Sequence, residues 1–366
     1  MKSGLKRLML CAFVLGAIGI VGTIIGAILD PAAFLRAWLC SYLFWLGLPL
    51  AGITLVLVHD LSGGDWMATA RPALDAAIIT MPVASLAGIA AFVGLNSLYV
   101  WTRAGPELTN TFYLNPTDFF IRYGVYVVLW NVLAAFALWR REGAAPIAPG
   151  LSWLSGLGLV ALALSISFAA IDWILSLEPT FWSSIFAYTQ AASWFNTGMA
   201  IVVLSIVLLA WPAGERREHV SDLAKILLAT TIFWAYVEFM QFLIIWEENL
   251  KTEIPWYLTR LNSGWKPAIY VSVGLGFVVP FLLLLWAPSK RNRGIIITAC
   301  ISIAISRVAH TWLLVMPEFS SPTPFSLDAA AMLALGGAMV LLFSWALSSA
   351  YRGLASDGAI WRADYG

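Results

Sequence analysis

The sequence predicts an all-α integral membrane protein of about ten transmembrane helices. Three observations carry this. Hydrophobic residues make up 61% of the 366 and charged residues only 11%, against roughly 45–50% and 25% in a soluble domain. The mean hydropathy is +0.84. The apolar residues also gather into runs long enough to cross a bilayer core of about 30 Å at 1.5 Å per residue. A soluble fold of this length has too much surface for so few charges. A water-soluble enzyme, a secreted disulfide domain, a disordered chain and a nucleic-acid binder are thereby excluded. The net charge of +1 gives no pull toward an acidic partner.

Taken in order, the spans are about 8–29, 33–58, 76–99, 118–140, 151–174, 184–211, 224–246, 266–287, 294–316 and 327–349, forming a single polytopic domain over 1–366. Leu8-Met9-Leu10-Cys11 faintly resembles a lipoprotein cleavage site, but Leu10 is too large for the residue before the cut. The first apolar run also outlasts a signal-peptide h-region, so it is read as a helix. The third span starts beside Asp75 and is interrupted by Pro82, and the fourth carries Asn131. The fifth ends on Asp172, with Glu178 just beyond, and the sixth carries Gln190 and Asn196 early. The seventh presents Thr231, Trp234, Glu238, Gln241, Ile245 and Glu248 on one helix face. Pro280 interrupts the eighth; the ninth carries Ser302, Ser306, Arg307, His310 and Thr311; the tenth carries Ser344. Cys11, Cys40 and Cys300 lie in apolar runs without a Cys-x-x-Cys pair and read as buried small hydrophobes.

Loop charge sets an orientation. Lys2, Lys6, Arg7, Arg71, Arg140, Arg141, Arg216, Arg217, Lys225, Lys290, Arg291, Arg293, Arg352 and Arg362 fall on one side. Arg36, Arg103, Arg122, Lys251, Arg260 and Lys266 fall on the other, leaving Arg307 inside a span. The positive-inside rule places both termini in the cytoplasm. The outer side is aromatic, with Trp173, Phe181, Trp182, Trp194, Trp246, Trp256, Tyr257 and Trp265, a pattern that suits an interfacial belt.

A charge inside a bilayer is costly and marks a candidate site. Odd-numbered spans run the same way, and Glu238 and Arg307 each lie about thirteen residues along theirs, so they share a depth in the outer half. They are expected to pair, directly or through one polar residue. Such a pair either fixes helix packing or handles protons or substrate. Redox cofactors are tested by counting. Of His59, His219 and His310 only the last lies well inside a span, so one chain cannot supply the two axial histidines of an outer b-type haem. Covalent haem, iron–sulfur and three-ligand metal motifs are also missing from the sequence.

At the seventh span the sequence reaches a specific pattern. The run Phe233-Trp234-Ala235-Tyr236-Val237-Glu238-Phe239-Met240-Gln241-Phe242-Leu243-Ile244-Ile245-Trp246-Glu247-Glu248-Asn249-Leu250 is followed by Glu253-Ile254-Pro255-Trp256-Tyr257 and Gly264-Trp265. It resembles the ActF subunit of alternative complex III, a bacterial quinol:electron-acceptor oxidoreductase. Asp172-Trp173-Ile174-Leu175-Ser176-Leu177-Glu178-Pro179 with Phe181-Trp182-Ser183, and Arg307 with Leu313-Leu314-Val315-Met316-Pro317, are similar to further segments of that family. The sequence departs from the family pattern at Glu238 and at Glu247-Glu248.

The resemblance implies an NrfD-like membrane subunit with two four-helix bundles, spans two to five and six to nine, flanked by the first and tenth. Hydropathy alone allows that duplication without establishing it. It implies a multi-pass place in the bacterial inner membrane and a role on the quinol side or in proton conduction. The implied partners are a related NrfD-like subunit and subunits with c-type cytochrome and iron–sulfur centres. Quinone or quinol is the implied ligand; haem and clusters belong to the partners, and this chain alone holds no cofactor. Asp172, Glu238, Gln241, Trp246, Asn249 and Arg307 are the positions carried over. A secondary transporter or proton channel, and a purely structural subunit, are the competing readings.

Overall fold

The computed structural model describes residues 2–103, 111–140, 152–211, 216–262, 264–320 and 323–356. Arg141 and Arg362 of the orientation argument lie outside them. Among the described residues the chain is helical without a strand, and nine helices are long and apolar enough to cross a membrane. This is a multi-pass membrane protein in a lipid bilayer. α1 (Lys2–Leu29) and α2 (Pro31–Ser62) are joined by Asp30, whose carboxylate accepts from the Ala33 N–H at 2.9 Å and caps α2. α2 is buried on all sides, as expected of a helix that is apolar all round and central.

The third predicted span departs from the expectation of one continuous helix. It is a chain of short helices: α3 (Trp66–Ile78), α4 (Met81–Ala87), α5 (Ala90–Val93) and α6 (Leu95–Leu98). Pro82 cannot donate to the carbonyl four residues back, and Gly88 and Gly94 follow at the next breaks. A break inside a bilayer needs new partners for the freed carbonyls. Trp38 Nε1 donates to the Ala87 carbonyl at 2.8 Å, and the Tyr123 hydroxyl donates to that of Ser85.

The remaining helices are α7 (Pro116–Trp139), α8 (Ser152–Trp173), α9 (Phe186–Leu209), α10 (Arg216–Glu248), the short α11 (Ile254–Asn262), α12 (Lys266–Val273), α13 (Val279–Leu285), α14 (Arg293–Val315) and α15 (Phe325–Ser356). The eighth predicted span is interrupted before Pro280, by a π-helical turn at Gly274–Val278 between α12 and α13. Pro280 itself sits harmlessly in the first turn of α13.

Side-chain contacts give the helix directions. Arg140 pairs with Asp60 at 3.4 Å, and the Ser155 hydroxyl donates to Asp60 at 2.7 Å. The ends of α2 and α7 and the start of α8 therefore share one end of the molecule. Arg122 pairs with Asp172 at 2.9 Å, placing the start of α7 and the end of α8 at the other. The broken α3–α6 segment thus runs between opposite ends of the molecule.

Helices are seamed at small residues, because lipid tails give no hydrophobic drive for helix to meet helix and close packing must serve instead. At the α2–α9 crossing, a Cβ on Gly198 would lie 2.3 Å from the Gly47 carbonyl oxygen. α1 packs antiparallel on α15, with Gly16 against Gly337, Gly19 against Ala334 and Gly26 against Leu327. A Cβ on Gly19 would lie 2.3 Å from the Ala334 backbone nitrogen. Gly19→Leu should separate α1 from α15 and cost about 1–3 kcal/mol, read as a lower thermal midpoint in detergent. Ile18→Leu on the exposed face should leave the midpoint unchanged.

Candidate functional site

α10 and α14 carry the polar residues of the seventh and ninth spans, and the structure brings three of them together with one aromatic ring. The Arg307 guanidinium lies 3.4 Å over the centre of the Trp234 ring, a cation–π contact that gains strength where water is excluded. Arg307 is 1% exposed, and its three guanidinium nitrogens have no hydrogen-bond partner among the described residues. His310, three residues on, sets its Nε2 3.4 Å from Glu238 Oε1 and its ring edge-on to Trp234 at 5.5 Å.

Among the described residues Glu238 and Arg307 form no direct ion pair; of the two expected arrangements, the indirect one is present, with Trp234 lying between them. Trp234 precedes Glu238 by one turn on the same face and takes the guanidinium, while Glu238 meets His310, one turn beyond Arg307. Glu238 and Arg307 do lie at one level on facing helices. Residue counting fixes that level but not which turn of one helix faces which turn of the other.

The π turn makes room for this packing. A Cβ on Gly276 would lie 2.2 Å from Ser306 Oγ and 2.7 Å from Arg307 Nη2, so only glycine fits. Widening the ladder from i+4 to i+5 leaves one carbonyl over, and the Ser306 hydroxyl donates to the Ser272 carbonyl at 2.8 Å.

Beside the cluster lies a cavity of about 620 Å3 between α10, α11, α12, the π turn and α14, within the usual size of a small-molecule site. Phe239, Phe242, Trp256, Phe277, Ile269 and Leu313 make its wall mostly apolar. Glu238, His310, Tyr257, Ser272 and Arg260 are its polar groups, and Arg307 is screened from it by Trp234. Arg260 locks α11 in place. It donates to the carbonyls of Leu313 at 2.7 Å and Trp256 at 2.8 Å, pairs with Glu318 at 2.5 Å and stacks 3.4 Å over Trp256. Burial pushes the Arg260 guanidinium below its ordinary pKa, and Glu318 opposes that shift. Burial raises the Tyr257 phenol well above its ordinary value, with Glu238 adding to the rise, so the phenol stays protonated.

The other predicted residues sit elsewhere. Asp172 belongs to a separate buried cluster, bound by Arg122 at 2.9 Å and by the Tyr126 hydroxyl at 2.7 Å. Gln241 is buried and bonds to Ser183 and Tyr257. Gln190 and Asn196 are buried on α9; Asn196 Nδ2 donates to Thr230 at 3.0 Å and Thr231 at 3.1 Å. Glu178 accepts from the Thr180 hydroxyl at 2.5 Å in the loop after α8. Trp246 is 66% exposed, and Glu248 is also exposed at the end of α10. Asn249 takes φ +50° and ends α10, the left-handed cap that asparagine tolerates. It is a helix stop, away from the cluster.

The sequence places Arg122 and Arg260 among loop charges and Tyr257 in an interfacial belt, and the structure draws all three into packed clusters. The Trp256–Arg260 spacing of four and the Gly274-Leu275-Gly276 run are the signals that could have marked them. Asp172→Asn should cost up to about 3 kcal/mol, the low end for a broken buried pair because Arg122 keeps 18% exposure. In thermal denaturation the double change Asp172→Leu with Arg122→Met should recover most of that loss.

Compared with known protein families and with curated proteins, this chain matches no family model and no curated relative.

Proposed function

We propose that this chain is the integral membrane subunit of a quinol:electron-acceptor oxidoreductase of the alternative complex III type, and that the cavity beside Glu238 is its quinol-side site. One observation carries the reading. An apolar, aromatic cavity of about 620 Å3 has a carboxylate and an imidazole 3.4 Å apart in its wall. A quinol is a flat, apolar ring with two hydroxyl groups, and its oxidation releases two protons and two electrons. Aromatic walls suit the ring, and a Glu–His pair within reach of a hydroxyl can take a proton as general base. The electrons pass to redox centres held by partner subunits. Exposed Tyr236, Phe239 and Ile232 border the cavity on the lipid side, giving a hydrophobic ligand access from the bilayer.

The wider architecture supports the same reading. α2 packs with α3, α7 and α8, α9 packs with α10 and α14, and α2 and α9 also pack closely on each other, so two four-helix units in this reading meet along α2 and α9. The end carrying α11 is the outer face in this reading, with both termini in the cytoplasm of a bacterial inner membrane. A proton channel or transporter would need polar groups to continue across the protein. Below Asn196, Thr230 and Thr231, α10 buries Leu227, Ala224 and Leu223 before the next buried hydroxyl, Ser221.

In the complex purified in mild detergent, Glu238→Gln and His310→Gln should each lower quinol-driven reduction of the acceptor about 10²–10⁴-fold with subunit composition unchanged. Unaltered turnover would overturn the reading. So would purification of a lone, colourless chain that moves a solute in liposomes.

A further inference from the structure

The cavity has a second polar wall, held by a short hydrogen-bonded chain. The Ser183 hydroxyl donates to Gln241 Oε1 at 3.1 Å, and Gln241 Nε2 donates to the Tyr257 phenol oxygen at 3.2 Å. Gln241 is 1% exposed, so its amide has no water to turn toward. The amide oxygen faces Ser183 and the N–H group faces the phenol. Tyr257 is therefore the acceptor in this bond, and its own O–H proton has no acceptor among the described residues. The ring is held edge-on between Trp256 at 4.9 Å and Phe242 at 5.5 Å, and it lines the cavity. Gln241 follows Glu238 by three residues on α10, about 4.5 Å along the axis. The cavity thus has one side at Glu238 and His310, which can accept from a quinol hydroxyl or, through the imidazole N–H, donate to a quinone carbonyl, and, nearer the α11 end, a donor at Tyr257.

We propose that Tyr257 donates a hydrogen bond to one ring oxygen of the ligand while Glu238 and His310 face the other. This rests on the quinol reading above and adds the group that sets specificity. The cavity then selects an aromatic ring with two opposed oxygens over a ring with one. A phenol proton is received equally well by a quinol hydroxyl oxygen and a quinone carbonyl, so both redox forms are recognised. Gln241 and Ser183 act as positioning residues, fixing which way the phenol points.

The test is equilibrium binding of 2-decyl-1,4-benzoquinone and of 4-decylphenol to the full-length protein in detergent, corrected for uptake by empty micelles. Wild type should bind the quinone the more tightly of the two. Tyr257→Phe should weaken quinone binding about 3- to 10-fold, the effect of one neutral hydrogen bond, and leave the phenol unchanged. Gln241→Glu gives the phenol proton an acceptor inside the protein and should reproduce the Tyr257→Phe pattern. Quinone binding unchanged in Tyr257→Phe overturns the assignment of Tyr257 alone. Equal loss of both ligands also overturns it, because the side chain then only shapes the wall. A wild type that binds no quinone overturns the quinol reading, and the Tyr257 assignment with it.

Discussion

Within a bilayer no water is available to finish an incomplete hydrogen bond, and most of the local structure follows from that constraint. A polar group left over by the fold must be met by another part of the protein. The broken segment from α3 to α6 survives because Trp38 and Tyr123 reach its loose carbonyls. The π turn between α12 and α13 survives because Ser306 reaches Ser272. Asp172 is tolerated because Arg122 and Tyr126 surround it. Arg307 is the extreme case, since its guanidinium rests on the face of Trp234 with no acceptor at its nitrogens. The aromatic ring screens that charge from the cavity and leaves Glu238 to His310.

The same constraint sorts the polar residues into two kinds. Asp172 and Arg260 are engaged by several partners each and read as structural. Glu238, which has a carboxylate oxygen without a hydrogen-bond partner among the described residues, stands at a cavity wall with His310 and Tyr257. Unspent capacity beside a space of ligand size is what a binding site requires.

Much of this was legible in the sequence. The long apolar runs map onto the crossing helices because a bilayer sets helix length directly. The one-face pattern Trp234, Glu238, Gln241 survives as drawn, since residues three and four apart must be neighbours. The third span was legible as apolar but not as broken: Pro82 announces a break, and the side chains that make it tolerable come from elsewhere in the chain. The facing of Glu238 on His310 was hidden for a related reason, because depth follows from counting residues and helix rotation does not. Asn249 looked chemical and proved geometric, its value lying in a backbone angle that composition does not display.

The glycine seam between α1 and α15 also has a consequence for how the protein is made. The chain enters the membrane from its N-terminus, so α1 is inserted long before Gly337 and Ala334 exist to receive it. Until then α1 stands largely among lipids, and Leu10, Phe13, Ile18, Val21 and Ile25 on its surface suit it to that wait. A dry seam of small residues contributes little until both surfaces are present, and then contributes all at once through close contact. α1 is therefore fastened by α15, and this seam closes only when both helices are present.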